Sequence, residues 1–117
     1  MDILAQTDLF FAGSKAQWQL FEALKQAVLS RYPAAQLRVM KTCIVFEDPK
    51  PFLYVSIPKQ KAMTGLMLSV SLREEEAHPR FYRVVPLSKT RYTVHIHVSA
   101  AQEINEELLE WIARSLR

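Results

Sequence analysis

A chain of 117 residues, half of them hydrophobic, can bury roughly two-thirds of its unfolded surface around one core, so a single domain over 1–117 is expected. Its one cysteine, Cys43, excludes an internal disulfide framework and fits a reducing compartment; no apolar run approaches the ~20 residues that span a bilayer. The N-terminus Met1-Asp2-Ile3-Leu4-Ala5-Gln6 lacks the basic region and apolar core of a signal peptide, which points to a soluble cytoplasmic protein with no membrane partner.

The net charge of +3 is unevenly spread. Residues 1–30 carry Lys15 and Lys25 against Asp2, Asp8 and Glu22, a net of −1. Residues 31–92 hold eleven Lys or Arg against Glu47, Asp48, Glu74, Glu75 and Glu76, a net of +6. Residues 93–117 return to −2. A basic middle between acidic ends points to an anionic partner, although surface charge also serves solubility alone.

In chain order, Ser14 with Gln17 three residues on forms a capping box at the start of a helix. Trp18, Phe21, Leu24, Ala27 and Val28 then recur at helical spacing, and Tyr32-Pro33 ends the helix near Ser30. A hairpin follows. Parity sets Leu37 and Val39 against Phe46 and Ile44 if Lys41-Thr42 is a two-residue loop, although a longer or bulged turn is also open because Lys-Thr is not a favoured tight-turn pair. Asp48-Pro49-Lys50-Pro51 stops that strand, and Phe52–Ile57 is the next. Pro58 starts a basic loop running to Gly65. Leu66, Leu68, Val70 and Leu72 then alternate with Met67, Ser69 and Ser71, the pattern of a half-buried strand.

Arg73–Pro79 reads as a solvated loop and Phe81–Val85 as a short extended piece. Arg91–Val98 alternates strictly, with Val94, Ile96 and Val98 on one side and Thr93, His95 and His97 on the other. The last helix is capped within Ser99–Gln102 or by Asn105, and Ile104, Leu108, Trp111, Ile112 and Leu116 form its apolar stripe. The expected fold is α+β: an antiparallel sheet of four to five strands with an N-terminal and a C-terminal helix packed on one face. The uncovered face then carries Arg38, Met40, Cys43, Val45, Tyr54, Ser56, Met67, Ser69, Ser71, Thr93, His95 and His97.

Phe11-x-Gly13, Leu20-Phe21-x-x-Leu24, Lys41-Thr42-x-Ile44-x-Phe46, Phe52-x-x-Val55 with Lys59 after it, a histidine-bearing strand ending near Val98-Ser99, and Leu108-x-x-Trp111-Ile112 together resemble the domain-of-unknown-function family 5655. The resemblance runs over residues 9–114 and rests on the series, since each piece is short and mostly apolar. It implies a small α+β domain of unassigned activity, found alone or beside other domains, nuclease-like ones among them. It also implies that Lys41, Lys59 and His95 are the polar members of the shared pattern.

Several chemistries compete for the open face. Zinc would need a third protein ligand beside His95 and His97, and no zinc-ribbon or His-Glu-x-x-His spacing supplies one. A Cys43–His95 nucleophile and base would need an orienting group and an oxyanion hole that no motif announces. With glycine only at positions 13 and 65, a phosphate-cradling glycine loop is absent, and no cofactor is expected. The reading that uses most of the face is a binding domain, not an enzyme. Arg38, Lys41, Lys59, Lys61, Arg91, His95 and His97 would meet an anionic ligand or nucleic acid, with Tyr54, Tyr92 or Phe81 stacking on bases. The alternatives are an ordinary wet sheet face, or a protein-interaction or homodimerisation surface on the same side.

Overall fold

The computed structural model describes residues 2–60 and 63–116. Six antiparallel strands form one sheet in the order β1-β2-β3-β4-β6-β5. They are β1 (Gln36–Val39), β2 (Ile44–Glu47), β3 (Pro51–Ser56), β4 (Leu66–Leu72), β5 (Phe81–Ser88) and β6 (Arg91–Val98). Helices α1 (Ile3–Phe10) and α2 (Lys15–Arg31) precede the sheet; a 3₁₀ turn at Ala101–Glu103 and helix α3 (Glu106–Ser115) follow it.

The hairpin pairs as parity requires, with Val39 opposite Ile44 and Leu37 opposite Phe46. The Met40 amide donates to the Cys43 carbonyl at 2.8 Å, closing a two-residue loop at Lys41-Thr42. From there one row of apolar side chains crosses the whole sheet in register: Val39, Ile44, Val55, Leu68, Ile96 and Phe81. These residues belong to or pack against the core, which they share with Phe21, Leu24 and Val28 of α2 and Leu108, Trp111 and Ile112 of α3. Burying this face on two helices is what removes its apolar surface from water.

Six strands stand where four to five were expected. The short extended piece expected over 81–85 is a full strand, β5, which sits at the sheet edge with its ladder shifted at Phe81/Arg83 and at Pro86/Ser88. Each shift inserts an unpaired residue, which erases the two-residue period that reveals a strand. Helix α1 is likewise additional to the two expected helices. Asp2 caps it by accepting from the Ala5 amide at 2.8 Å, but Thr7 is its only buried residue while Leu4 and Leu9 stay exposed. No apolar stripe exists there for a helical period to display.

The capping box at α2 is only half made. Ser14 Oγ accepts from the Gln17 amide, whereas the Ser14 amide donates to the Phe11 carbonyl at 2.9 Å and so leaves nothing for Gln17 to take. Gln17 instead sends its Nε2 to the Gly65 carbonyl at 2.8 Å, joining helix to sheet. The buried arc of α2 runs through Leu20, Phe21, Leu24 and Val28, and Trp18 lies outside it, 37% exposed. At α3 the cap is Asn105, whose Oδ1 accepts from the Leu108 amide at 3.1 Å. The loop before β5 is tied to that cap. Arg80 donates to the Glu103 carbonyl at 2.7 Å and to Asn105 Oδ1 at 3.0 Å, with its guanidinium 5.7 Å from the Trp111 ring centre. Among the described residues no helix is long and apolar enough to cross a membrane.

Candidate functional site: a basic hollow on the open sheet face

The alternation that buries one side of β4 and β6 leaves Ser69, Ser71, Thr93, His95 and His97 half-buried on the side away from the helices. A second row crosses the sheet here, one residue from each strand: Arg38, Val45, Tyr54, Ser69, His95 and Arg83. Val45 is fully buried in it, flanked in register by Arg38 and Tyr54. In this row Ser69 Oγ and His95 Nδ1 are 2.8 Å apart, a hydrogen bond between neighbouring strands.

The row deepens into a hollow of about 420 Å³ beside the segment that follows β3. Lys59, Met67, Ser69, Tyr82, Arg83 and His95 line it. Two consecutive residues of a regular strand cannot face the same way. Here Tyr82 and Arg83 both line the hollow because the ladder shifts between Phe81, opposite Ile96, and Arg83, opposite His95. Tyr82 is the additional residue of that bulge, half exposed, and such bulges re-aim side chains at the rims of sites.

Burial first and the Arg83 guanidinium second hold the His95 pKa below the ordinary histidine value. The imidazole is therefore neutral at pH 7, able to accept from Ser69 or to donate to it. No Asp or Glu lines the hollow, so nothing there plays the third member of a Ser–His–acid triad. The basic groups of the helical side are compensated differently. Lys25, Arg31, Arg80 and Arg114 each pair with a glutamate, whereas Arg83 and Lys59 make no ion pair among the described residues. What this arrangement can do is offer a guanidinium, an ammonium and the one proton that the Ser69–His95 pair leaves free, on the imidazole or on the hydroxyl, to an anionic group.

The residues singled out from sequence separate into those the hollow unites and those it does not. Lys59 and His95 line it, and Tyr54 stands next to Ser69 in the same row, 41% exposed. Arg38 lies in that row too, but at the far edge, where Glu47 takes its Nε at 2.9 Å. Lys41 is in the β1–β2 turn, outside the hollow. Arg91 faces a different hollow with Lys50, Arg73 and Asp48, and reaches Ser71 Oγ at 3.4 Å. His97 bonds through Nε2 to the Thr64 carbonyl, an acceptor only, so its proton is on Nε2. Tyr92 falls on the core-face register opposite Leu72, and Phe81 packs on Trp111, so neither offers a stacking surface on the open face. Lys61 lies outside the described residues.

Cys43 and His95 are separated by three inter-strand steps, about 14 Å at ordinary strand spacing, too far for a nucleophile–base pair. Among the described residues no three of His, Cys, Asp and Glu come together as metal ligands. The sequence assigns no face to the short piece over 81–85, and a regular strand could place only one of Tyr82 and Arg83 on this side. Ser69 was on the expected face but carried no motif. Its register with His95 is the signal that marks it.

No curated protein and no solved structure matches this chain. The family profile of a domain of unknown function (DUF5655) matches residues 7–116, and the chain belongs to that family.

Proposed function

We propose that this domain binds an anionic ligand, with nucleic acid the favoured class, through the hollow on the open face of its sheet. The observation that carries the reading is the gathering of Arg83 and Lys59, neither in an ion pair, around the Ser69–His95 hydrogen bond with no carboxylate in the lining. Converging cations without a counter-charge repel one another and gain when an anion enters. Half-exposed Tyr54 and Tyr82 flank this group and offer faces for bases to stack on. Electrostatic binding of this kind weakens steeply with salt. Fluorescence anisotropy with labelled single-stranded and duplex oligonucleotides across a salt series tests it; absence of salt-sensitive binding to both would remove the proposal.

A second reading uses the same face for self-association. Met40, Tyr54 and Tyr82 are exposed apolar or aromatic groups on that side, and β5 presents an unpaired edge. Sedimentation at increasing concentration discriminates, because association through apolar surface persists at high salt.

A further inference from the structure

Resting on that anion-binding reading, we infer that the group taken by the hollow is a phosphomonoester, a terminal phosphate with three free oxygens, and not the diester of a chain passing through. Polar groups from four segments line the hollow: Ser69 on β4 and His95 on β6, hydrogen-bonded to each other, Arg83 on the edge strand β5, and Lys59 on the segment following β3. A monoester near pH 7 carries close to two charges and three strong acceptor oxygens. A diester carries one charge, leaves two oxygens free and must continue in both directions.

The shape agrees with a terminus. The segment Ile57–Gln60 borders the hollow beyond the end of β3, and Met63 and Met67 add apolar lining beside it. The volume of about 420 Å³ falls in the range of pockets that hold one small molecule. Tyr82, brought to the rim by the β5 bulge, lies where a ring attached to the phosphate would stack. The hollow that Arg91 faces contrasts with this one, since Asp48 lines it together with Lys50, Arg73 and Arg91.

The test compares ligands that differ only in the ester. The full chain is titrated by calorimetry with adenosine 5′-monophosphate and with its 3′,5′-cyclic diester, and by anisotropy with one oligonucleotide carrying either a 5′-phosphate or a 5′-hydroxyl. The expected result is tighter binding of both monoester forms by about tenfold, from the further charge and the third free oxygen that the diester lacks. Arg83→Gln should abolish that preference, and Lys59→Gln, on an exposed segment, should reduce it without any bearing on folding. Equal affinity for phosphorylated and unphosphorylated oligonucleotide overturns this inference while leaving anion binding standing. No binding of any of the four probes overturns both.

Discussion

Ser69 Oγ and His95 Nδ1 meet at 2.8 Å across adjacent strands although 26 residues separate them in the chain. The imidazole they fix faces Arg83 from β5 and shares its hollow with Lys59 and Tyr82, while Tyr54 stands beyond Ser69 in the same row. Because burial and Arg83 lower its pKa in the folded state, the unfolded chain binds the proton more tightly. The resulting stability is present above the ordinary histidine value of 6.5 and is lost as the pH falls through the lowered folded value. A nuclear magnetic resonance titration should place the His95 midpoint below 6.5. Denaturation of a His95→Gln variant should show a flatter acid limb. A midpoint at or above the ordinary value would contradict the burial and charge argument.

Arg38 and Arg83 stand in the same row at opposite ends, yet their charges differ in availability. Glu47 holds Arg38 through Nε at 2.9 Å, while Arg83 has no ion pair among the described residues. Arg83→Ala is therefore expected to weaken anion binding by about tenfold or more, the scale of one lost charged hydrogen bond of ~1.5 kcal/mol. Arg38→Ala should leave binding within about twofold, because a paired and exposed cation contributes little. Measured dissociation constants in the reverse order would move the site away from the hollow.

Gly65 lies tight against the backbone at the end of β6. It has a φ of +79°, and a Cβ there would lie 2.2 Å from the Val98 carbonyl oxygen. Gly65→Ala must push apart β6 and the segment entering β4 while occupying the left-handed region, at a cost above about 1–3 kcal/mol. Chemical denaturation should register that loss as a lower midpoint. Gly13, also at positive φ but with open space around its Cβ position, should tolerate alanine better.

Arg80 and Asn105 act on one helix terminus. Asn105 Oδ1 accepts at once from the Leu108 amide and from Arg80 Nη1. Asn105→Ala should cost about 1 kcal/mol, the ordinary value of a lost helix cap. Combined with Arg80→Ala, the losses should fall short of additive, since each change removes the same hydrogen bond. A double-mutant cycle by thermal denaturation measures the coupling, and strictly additive losses would show the two residues to be independent.

β4 and β6 were legible because each has one buried and one wetter face, and the hairpin because its core-facing apolar residues keep one parity on each strand, so alternation maps directly onto register. Leu37–Phe46 and Val39–Ile44 follow from that alone. β5 was only partly legible, because two residues of its bulges stand out of the ladder and because an edge strand need not be apolar on either side. The N-terminal helix was invisible for a related reason, having no buried stripe beyond Thr7. At the site, His95 and Lys59 could be named from residue type and face. Arg83 and Ser69 could not be joined to them without the strand order β4-β6-β5, which reverses the chain order of the last two strands and brings β4 against β6. Residue type reports chemistry, while only pairing reports proximity.

The β5 irregularity carries an implication for length variation. Removing Tyr82 from the chain would leave Phe81 opposite Ile96 and Arg83 opposite His95, as they already are, and would restore unbroken pairing between them. Deletions inside strands ordinarily turn every later side chain over to the wrong face. This one would not. A one-residue-shorter chain lacking Tyr82 should fold with its core intact and keep its cationic group, losing only the aromatic rim, so that folding and ligand selectivity can be separated by subtracting a residue.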